Sequence, residues 1–373
     1  MGTALELFTY AVSDRTQWRV VRITTPNGRT GLGEMSDSGP LPEAVAALDM
    51  LEDFIGTAVA EPLTEPDDVR RWADKALGLV PPTRWGRTVV GGVEQALCDL
   101  AARGHGMPVW RWLGGRARRR VPVYANINRF VGGREPGDVA RAALEAVKNG
   151  HTAIKFAPFD VPAEGRPLAE VGLARLTALR EAVGEGISLM VDCHERLPLE
   201  EVGRILPALR DLNVCWLEDA TDIEDVEGLS WLRRSAGDMI LAGGEFAHDA
   251  RQIHPAVTAG VIDVVMPDVK HAGGITRAAA MLAAVPDVRV APHNPTGPVG
   301  TAAGAHLFLA CPSAISLEVA TGEVPWRPST VRPAEWVEDA HLTVPEGPGL
   351  GISLDFSRTS ARLVWSTTPL ESQ

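Results

Sequence analysis

The sequence predicts an α/β protein, in which a (β/α)8-type barrel follows an N-terminal α+β capping domain that the C-terminal segment completes. Two observations predict the barrel. After about residue 120, eight apolar strand-like runs alternate with amphipathic helical segments, as in a parallel sheet covered by helices. In addition, six successive runs end in an acid or a histidine at positions 192, 218, 245, 268, 293 and 318, at steps of 26, 27, 23, 25 and 25 residues.

Residues 1–118 are predicted to form the capping domain. Alternating and β-branched residues indicate three strands that pair as an antiparallel sheet, with a turn signal at Pro26-Asn27-Gly28, and helical periodicity then indicates three helices. The predicted elements are strands Leu5–Tyr10, Trp18–Thr25 and Thr30–Gly33 and helices Leu41–Ile55, Asp67–Leu77 and Val89–Arg103.

Residues 119–320 are predicted to form the barrel, because their short apolar strands resemble strands buried on both faces. An open doubly wound sheet is the alternative, but it requires a glycine-rich loop after its first strand, and Tyr124–Val131 has none. The eight predicted strands are Val121–Ile127, Thr152–Phe156, Ser188–Val191, Asn213–Leu217, Met239–Gly243, Val261–Met266, Val288–Ala291 and Ala314–Leu317. Helix candidates between them are Gly137–Lys148, Leu168–Val183, Leu199–Leu209, Ile275–Val285 and Val299–Ala310.

Residues 321–373 are rich in Pro, Gly and Trp, and we expect them to pack back on the capping domain, with an edge strand at Leu350–Leu354. The formal net charge of −12 argues against a nucleic-acid or anionic-membrane partner, because both require a basic patch. No apolar run approaches the ~18 residues of a membrane span. The start shows no signal-peptide pattern, and the four cysteines form no CxxC or zinc spacing. We therefore expect a cytoplasmic protein with reduced thiols and a small-molecule partner.

The carboxyl ends of barrel strands open on one face, so polar side chains there are expected to meet. The strand ends deliver Lys155, Asp192 with His194, Glu218, Glu245, Asp268 with Lys270, His293 and Glu318. Asp192, Glu218 and Glu245 would repel one another in a partly dry cleft unless a cation lies among them, and hard oxygen ligands suit Mg²⁺. A single acid could instead cap the next helix, but three at matched positions favour a metal site.

Asp268 and His293 end neighbouring strands, which predicts an aspartate that orients a histidine general base. His194 stands two residues after Asp192. If the chain stays extended there, His194 reaches the substrate on the other side and acts as a general acid; it could instead only orient the substrate. Lys155 is expected to supply positive charge to a substrate anion, and Glu318 to bind a substrate carboxylate or orient Lys155.

Several motifs together resemble the enolase superfamily, in its mandelate racemase/muconate lactonizing enzyme branch. They are Gly91–Leu100 followed by Pro108-Val109 and Leu113–Gly115, then Met190–Asp192, Trp216–Asp219, Gly244-Glu245, Met266–Asp268 with Gly273-Gly274, and Ala291–Asn294. The resemblance implies Mg²⁺-dependent abstraction of the proton α to a carboxylate, with Lys155 and Glu318 sharing the enediolate charge. It also implies substrate contacts by Asn294, a homo-oligomer, and specificity loops near Ser13–Gln17 and Met35–Pro40.

One departure from the family pattern bears on the activity. The racemase branch usually carries Lys-x-Lys at the end of the second strand, whereas here Ala157 replaces the second lysine. The remaining pair, His293 as base and His194 as acid, favours a dehydratase (a carbon–oxygen lyase) that converts a hydroxylated sugar acid to a 2-keto acid. Two alternatives stay open: an epimerase or cycloisomerase that uses His293 and Lys270, and a non-catalytic binding protein on the same barrel. A zinc hydrolase is disfavoured because the early strands end in acids rather than histidines.

Overall fold

The computed structural model describes residues 2–60, 63–116, 120–355 and 361–368. The strands are β1 (Ala4–Ala11), β2 (Gln17–Thr24), β3 (Thr30–Glu34), β4 (Arg120–Asn126), β5 (Ala153–Phe156), β6 (Ser188–Asp192), β7 (Val214–Glu218), β8 (Ile240–Gly243), β9 (Val264–Val265), β10 (Arg289–Val290), β11 (Leu317–Ala320), β12 (Val331–Arg332), β13 (Val337–Glu338), β14 (His341–Thr343), β15 (Ser353–Leu354) and β16 (Ala361–Ser366). The helices are α1 (Leu41–Ala60), α2 (Pro66–Ala76), α3 (Arg84–Gly104), α4 (Val109–Trp112), α5 (Pro136–Lys148), α6 (Leu168–Val183), α7 (Leu199–Asp211), α8 (Val226–Ser235), α9 (Ala250–Thr258), α10 (Ile275–Ala283) and α11 (Pro298–Ala310).

The N-terminal part is an antiparallel sheet packed on three helices. Strands β1, β2 and β3 pair in sequence order, and β16 pairs with the free edge of β1. Helix α3 lies directly on β3. At Gly33 a Cβ atom would stand 1.8 Å from the carbonyl oxygen of Gly92, so only glycine permits this approach. The three predicted strands and three predicted helices of this region are present.

Eight parallel strands form the barrel, as predicted. Strands β4 to β10 pair in sequence order, and β11 pairs with β4. The ring closes where Val290 bridges Ala314 and accepts a hydrogen bond from the Ile315 amide at 2.8 Å. Strands β9 and β10 are shorter than the sequence predicts at both ends; at the carboxyl ends Pro267 and Pro292 follow, which bring no N–H to the ladder. Strand β11 begins three residues later than predicted.

The C-terminal segment divides between the two parts of the molecule. Strand β16 joins the capping sheet, whereas the β13–β14 hairpin pairs with barrel strand β4. Strand β15 pairs with β12, within the predicted edge strand. The predicted boundary between residues 118 and 119 lies outside the described residues. In the described part of the chain, no helix is long and apolar enough to cross a membrane.

Two buried carboxylates join the capping domain to barrel helices. Glu94 of α3 accepts hydrogen bonds from the amides of Ile275 and Thr276, at the start of α10, at 2.7 and 2.8 Å. Glu34 of β3 accepts from the amides of Gly297 and Gly300, at the start of α11, both at 2.7 Å. Each acid satisfies helix N–H groups that lack a partner within the helix. Apolar residues of α10 and α11 also complete the capping core. The loops before these helices, which carry site residues, are thereby held against the capping domain.

Candidate active site

The carboxyl ends of the barrel strands open into a cavity of about 490 Å³ beneath the capping domain. This volume is in the range of small-molecule sites. The residues that line it are Asp37, Arg84, Asn126, Asn128, Arg129, Asp160, His194, Glu195, Arg196, Asp219, Glu245, Phe246, His271, His293 and Pro295. The loop at 35–40 contributes Asp37, whose carboxylate pairs with Arg129 at 2.8 Å. Among the described residues, none of 13–17 lines the cavity.

Asp192, Glu218 and Glu245 follow three adjacent strands and are all buried. Asp192 and Glu218 are register partners at the ends of β6 and β7. Burial, together with the negative charge of Asp192, raises the pKa of Glu218 well above its usual value. Burial and the charge of Glu245 do the same to the pKa of the neighbouring Asp219. Burial and close acidic neighbours thus act together on these carboxyl groups.

The outer two acids each direct an oxygen at a histidine. Asp192 Oδ2 lies 2.9 Å from His194 Nε2, and Glu245 Oε2 lies 2.7 Å from His293 Nε2; apart from these contacts, neither oxygen accepts a hydrogen bond from a described residue. Glu218 is held by the Lys155 ammonium and by the Trp216 indole N–H at 3.1 Å.

These observations bear on whether the acids fit a divalent cation. As they stand, no three His, Cys, Asp or Glu side chains of the described residues are arranged as a metal cluster, and each acid instead contacts a basic group. Nevertheless, two buried carboxylate oxygens that have no hydrogen-bond donor besides a histidine, beside a third carboxylate with a raised pKa, match the hard, anionic ligands that Mg²⁺ prefers. The donor set therefore fits the ion in its chemistry.

His293 lies between two acids. Its Nδ1 is 2.9 Å from Asp268 Oδ2, and its Nε2 is 2.7 Å from Glu245 Oε2. Burial alone would lower the pKa of His293, but Glu245, Glu318 and Asp268 outweigh burial and raise it well above the usual value. The Asp268 contact fixes the orientation of the ring, as in an Asp–His pair, while the contact with Glu245 favours the protonated imidazole. A cation that neutralised Glu245 would favour the neutral ring that a general base requires.

His194 contacts a second pair of acids. Its Nδ1 is 2.8 Å from Asp160 Oδ1, and its Nε2 is 2.9 Å from Asp192 Oδ2. The chain does not stay extended past Asp192 as the sequence reasoning assumed, because His194 and Glu195 have left-handed φ angles of 44° and 54°. Such angles are strained for residues other than glycine. Although burial opposes protonation, Asp192 and Asp160 raise the pKa of His194 to about 12.

Lys155 and Glu318 form one buried network. Lys155 Nζ contacts Glu218, lies 2.9 Å from Glu318 Oε1 and lies 3.5 Å from Asp192 Oδ2. Burial would lower the pKa of Lys155, but Glu218 and Glu318 hold it well above its usual value, so the ammonium stays charged. The Asn126 amide donates to Glu318 Oε1. Lys155 therefore supplies a fixed positive charge directly beside the acids.

Seven of the ten predicted residues are buried and are not among those that line the cavity, namely Lys155, Asp192, Glu218, Asp268, Lys270, Asn294 and Glu318. Lys270 is fully buried, and its Nζ bonds Asp268 Oδ2 at 2.7 Å. The Asn294 side-chain amide donates to Thr301 Oγ1 and to the Glu318 carbonyl, at 2.9 and 3.0 Å. Lys270 is thus placed to orient the Asp268 carboxylate, and Asn294 to hold the β11 strand end.

Sequence reasoning missed several cavity residues, namely Asp160, Asn126, Arg84, Arg129, Arg196, Phe246 and His271. Asn126 could have been found, because it ends the first barrel strand as Asp192 ends the third. Asp160 lies four residues beyond β5, in a loop whose return toward His194 no local pattern indicates.

The barrel, its capping domain and a cavity with an Asp–His pair beside three acids define a class of protein, a capped-barrel acid–base enzyme. The pattern described as "Enolase C-terminal domain-like" matches residues 138–358, and that of the "Mandelate racemase / muconate lactonizing enzyme, N-terminal domain" matches residues 8–114. The chain belongs to the enolase superfamily, in its mandelate racemase/muconate lactonizing enzyme branch, which confirms the resemblance seen in the sequence. Members of this superfamily are generally Mg²⁺-dependent.

Three similar proteins illustrate the relationship. A D-gluconate dehydratase of Thermoproteus tenax is 29% identical over 349 residues, covering 90% of this chain and 68% of the relative. A D-galactonate dehydratase family member of Streptomyces bingchenggensis is 30% identical over 367 residues, covering 90% of this chain and 87% of the relative. A crystal structure of a mandelate racemase/muconate lactonizing enzyme from Jannaschia sp. CCS1 is 26% identical, with a TM-score of 0.76 and 94% of each chain covered. The dehydratase relatives indicate an enzyme of the carbon–oxygen lyase class.

Proposed function

We propose that this enzyme dehydrates a hydroxylated sugar acid to a 2-keto acid with the help of Mg²⁺. One observation carries the proposal. His293 and His194 contact the outer two of three acids on adjacent strands, Glu245 and Asp192, and both imidazoles line the same cavity. Two acid–base groups beside one anionic cluster suit a reaction that removes one proton and delivers another. Relatives of this chain are named as sugar-acid dehydratases, and these names support the same reaction.

Each residue has a defined task in this proposal. Asp192, Glu218 and Glu245 would hold the cation, which when bound would supply a Lewis acid to the substrate carboxylate. Lys155 adds positive charge to the same carboxylate. His293 removes the α-proton, and Asp268 stabilises the imidazolium that forms.

The carbon–oxygen bond breaks at the next carbon of the substrate. His194 gives a proton to the β-hydroxyl, which leaves as water while the electron pair of the enediolate forms the double bond. The resulting enol takes up a proton at carbon and becomes the 2-keto acid. Asp160 holds His194 in place for this step.

The epimerase or cycloisomerase alternative requires Lys270 as a second proton carrier. The Lys270 ammonium is buried and is held by the Asp268 carboxylate at 2.7 Å, which disfavours that role. Ala157 also provides no second base after β5. A binding protein without catalysis would gain nothing from an Asp–His pair beside an acid cluster.

The test is incubation with a set of aldonic and aldaric acids in D₂O with Mg²⁺. Proton NMR reports α-proton exchange, and a keto-acid assay reports dehydration. We expect α-proton exchange and keto-acid formation with at least one acid, and we expect both to depend on the divalent ion. A product that keeps all its oxygen atoms would instead support the epimerase or cycloisomerase, and no exchange with any acid would contradict the proposal.

A further inference from the structure

A guanidinium without an acidic partner lies at the capping side of the cavity. Arg84, the first residue of α3, lines the cavity, and its guanidinium carbon is 4.4 Å from the centre of the Phe246 ring. No carboxylate of the described chain forms an ion pair with it, whereas Arg129 in the same cavity pairs with Asp37 at 2.8 Å. Arg84 is thus a positive charge that the protein itself leaves available.

A second arginine stands one helical turn further along α3. The Nε atom of Arg87 is buried and makes no hydrogen bond within the described residues. Burial, and then the charge of Arg84, lower the pKa of Arg87. Two like charges three residues apart on a helix destabilise it unless an anion lies near both. Arg87 does not line the cavity, so Arg84 is the guanidinium of this helix that a ligand in the cavity would meet.

The aromatic contact fixes where Arg84 points. Phe246 directly follows the acid Glu245, and its ring packs against His271 with centres 5.2 Å apart. A guanidinium over an aromatic face is attracted to the ring and keeps its N–H edge free for hydrogen bonds. Phe246 therefore holds Arg84 against the same cavity that Glu245 and His293 line.

The geometry points to an anion subsite formed by Arg84 that binds a second acidic group at the end of the substrate remote from the α-carbon. This inference rests on the proposed function and narrows it, because the substrate is then a dianion. A terminal carboxylate and a terminal phosphate ester share the chemistry that a guanidinium recognises, namely two or more anionic oxygens in one plane.

The experiment compares three acids of one chain length and configuration: the monocarboxylate, the dicarboxylate, and the monocarboxylate with a terminal phosphate. Values of kcat and KM are measured for the wild type, Arg84→Gln and Arg84→Lys. Arg251→Gln is the matched control, because Arg251 is an exposed arginine of α9 that pairs with Asp249 and does not line the cavity. Melting temperatures check that each variant folds.

We expect the wild type to prefer one dianion over the monocarboxylate by about tenfold or more in kcat/KM, as for a charge-assisted hydrogen-bonded pair. Arg84→Gln should remove most of this preference through a higher KM, Arg84→Lys should restore part of it, and Arg251→Gln should keep it. The preferred dianion identifies carboxylate or phosphate. A wild-type preference for the monocarboxylate, or an equal loss for all acids in Arg84→Gln, would overturn the inference while leaving the proposed function intact.

If no acid yields a keto acid, the proposed function fails, and binding decides the inference separately. Calorimetric titration of the dicarboxylate and the phosphate ester into wild type and Arg84→Gln then gives the answer. A Kd at least about tenfold weaker in the variant supports the subsite. Equal Kd values overturn it.

Discussion

The Asp268 carboxylate reaches the His293 imidazole across the gap between two adjacent barrel strands, with Oδ2 2.9 Å from Nδ1. The same oxygen accepts a hydrogen bond from the buried Lys270 ammonium at 2.7 Å. Lysine and burial together therefore determine which way the carboxylate faces, and the carboxylate determines which ring nitrogen faces the substrate. The position of the base is set by this chain of contacts rather than by His293 alone.

His293→Asn should abolish the first step. Asparagine keeps a polar group near Asp268 but cannot accept the α-proton, so α-proton exchange in D₂O should fall by about 10²–10⁴-fold, the usual contribution of a general base. Proton NMR of the substrate measures the exchange, and a thermal melt confirms folding. Exchange at the wild-type rate would show that another group is the base.

Asp160→Asn should uncouple the two steps. The amide cannot stabilise the His194 imidazolium as the carboxylate does at 2.8 Å, so keto-acid formation should slow by about 10-fold or more while α-proton exchange continues. His194→Asn is the comparison variant. If Asp160 acts only through His194, the double variant should be no slower than His194→Asn alone. Additive losses would instead give Asp160 an independent role.

Removal and return of Mg²⁺ should change the stability of the wild type. Binding at 100 times the Kd adds about 2.7 kcal/mol to the free energy of unfolding, because the ion binds only the folded acid cluster. Glu245→Gln should lose most of this gain, as measured by urea unfolding with and without Mg²⁺ after treatment with a chelator. Glu195→Gln is the control, since Glu195 lines the same cavity but is not one of the three acids. An equal gain in both variants would contradict the metal assignment.

Acid should destabilise the protein partly through His306. This buried residue of α11 accepts a hydrogen bond from the Trp110 amide at 3.1 Å, and burial lowers its pKa from 6.5 to about 4. Between those values the unfolded chain binds a proton that the folded chain does not bind. The contribution of neutral His306 to the free energy of unfolding is therefore complete above pH 6.5. It is lost as pH falls toward 4, by up to about 3 kcal/mol.

Urea unfolding at several pH values measures this loss. His306→Gln keeps an acceptor but does not titrate, so the variant should show a smaller fall in stability between pH 6.5 and 4. Burial also lowers the pKa of His151 to about 4, so part of the pH dependence should persist in the variant. An unchanged slope in His306→Gln would contradict the prediction.

The barrel and its strand-end residues could be predicted from sequence because both depend on local patterns. A run of four or five apolar residues followed by an acid identifies a strand end, and the parallel arrangement then brings those ends together. This reasoning placed Asp192, Glu218 and Glu245 on adjacent strands, as the structure has them. The same reasoning placed the last barrel strand at Ala314–Leu317, three residues before β11 at Leu317–Ala320, because the two segments are similarly apolar.

Cavity residues outside the barrel strands could not be predicted from the sequence. Asp160 reaches the cavity from a βα loop, and loops have no period. Arg84 reaches it from a capping helix, and only the tertiary fold brings both residues there. The left-handed backbone at His194 was also invisible, since neither glycine nor asparagine marks it. Whether the side chains perform the roles assigned to them stays a prediction for the variants above.

The buried acids Glu34 and Glu94 have a consequence for engineering. Each acid belongs to the capping domain and accepts hydrogen bonds from the first turn of a barrel helix. At Gly274 a Cβ atom would stand 2.1 Å from the Glu94 carboxyl carbon. A chimaera that joins this capping domain to the barrel of a relative would bring two buried carboxyl groups against whatever residues that barrel carries there. Successful recombination would therefore have to exchange Glu94 together with the Gly273–Thr276 turn, and Glu34 together with the Gly297–Gly300 turn, as inseparable units.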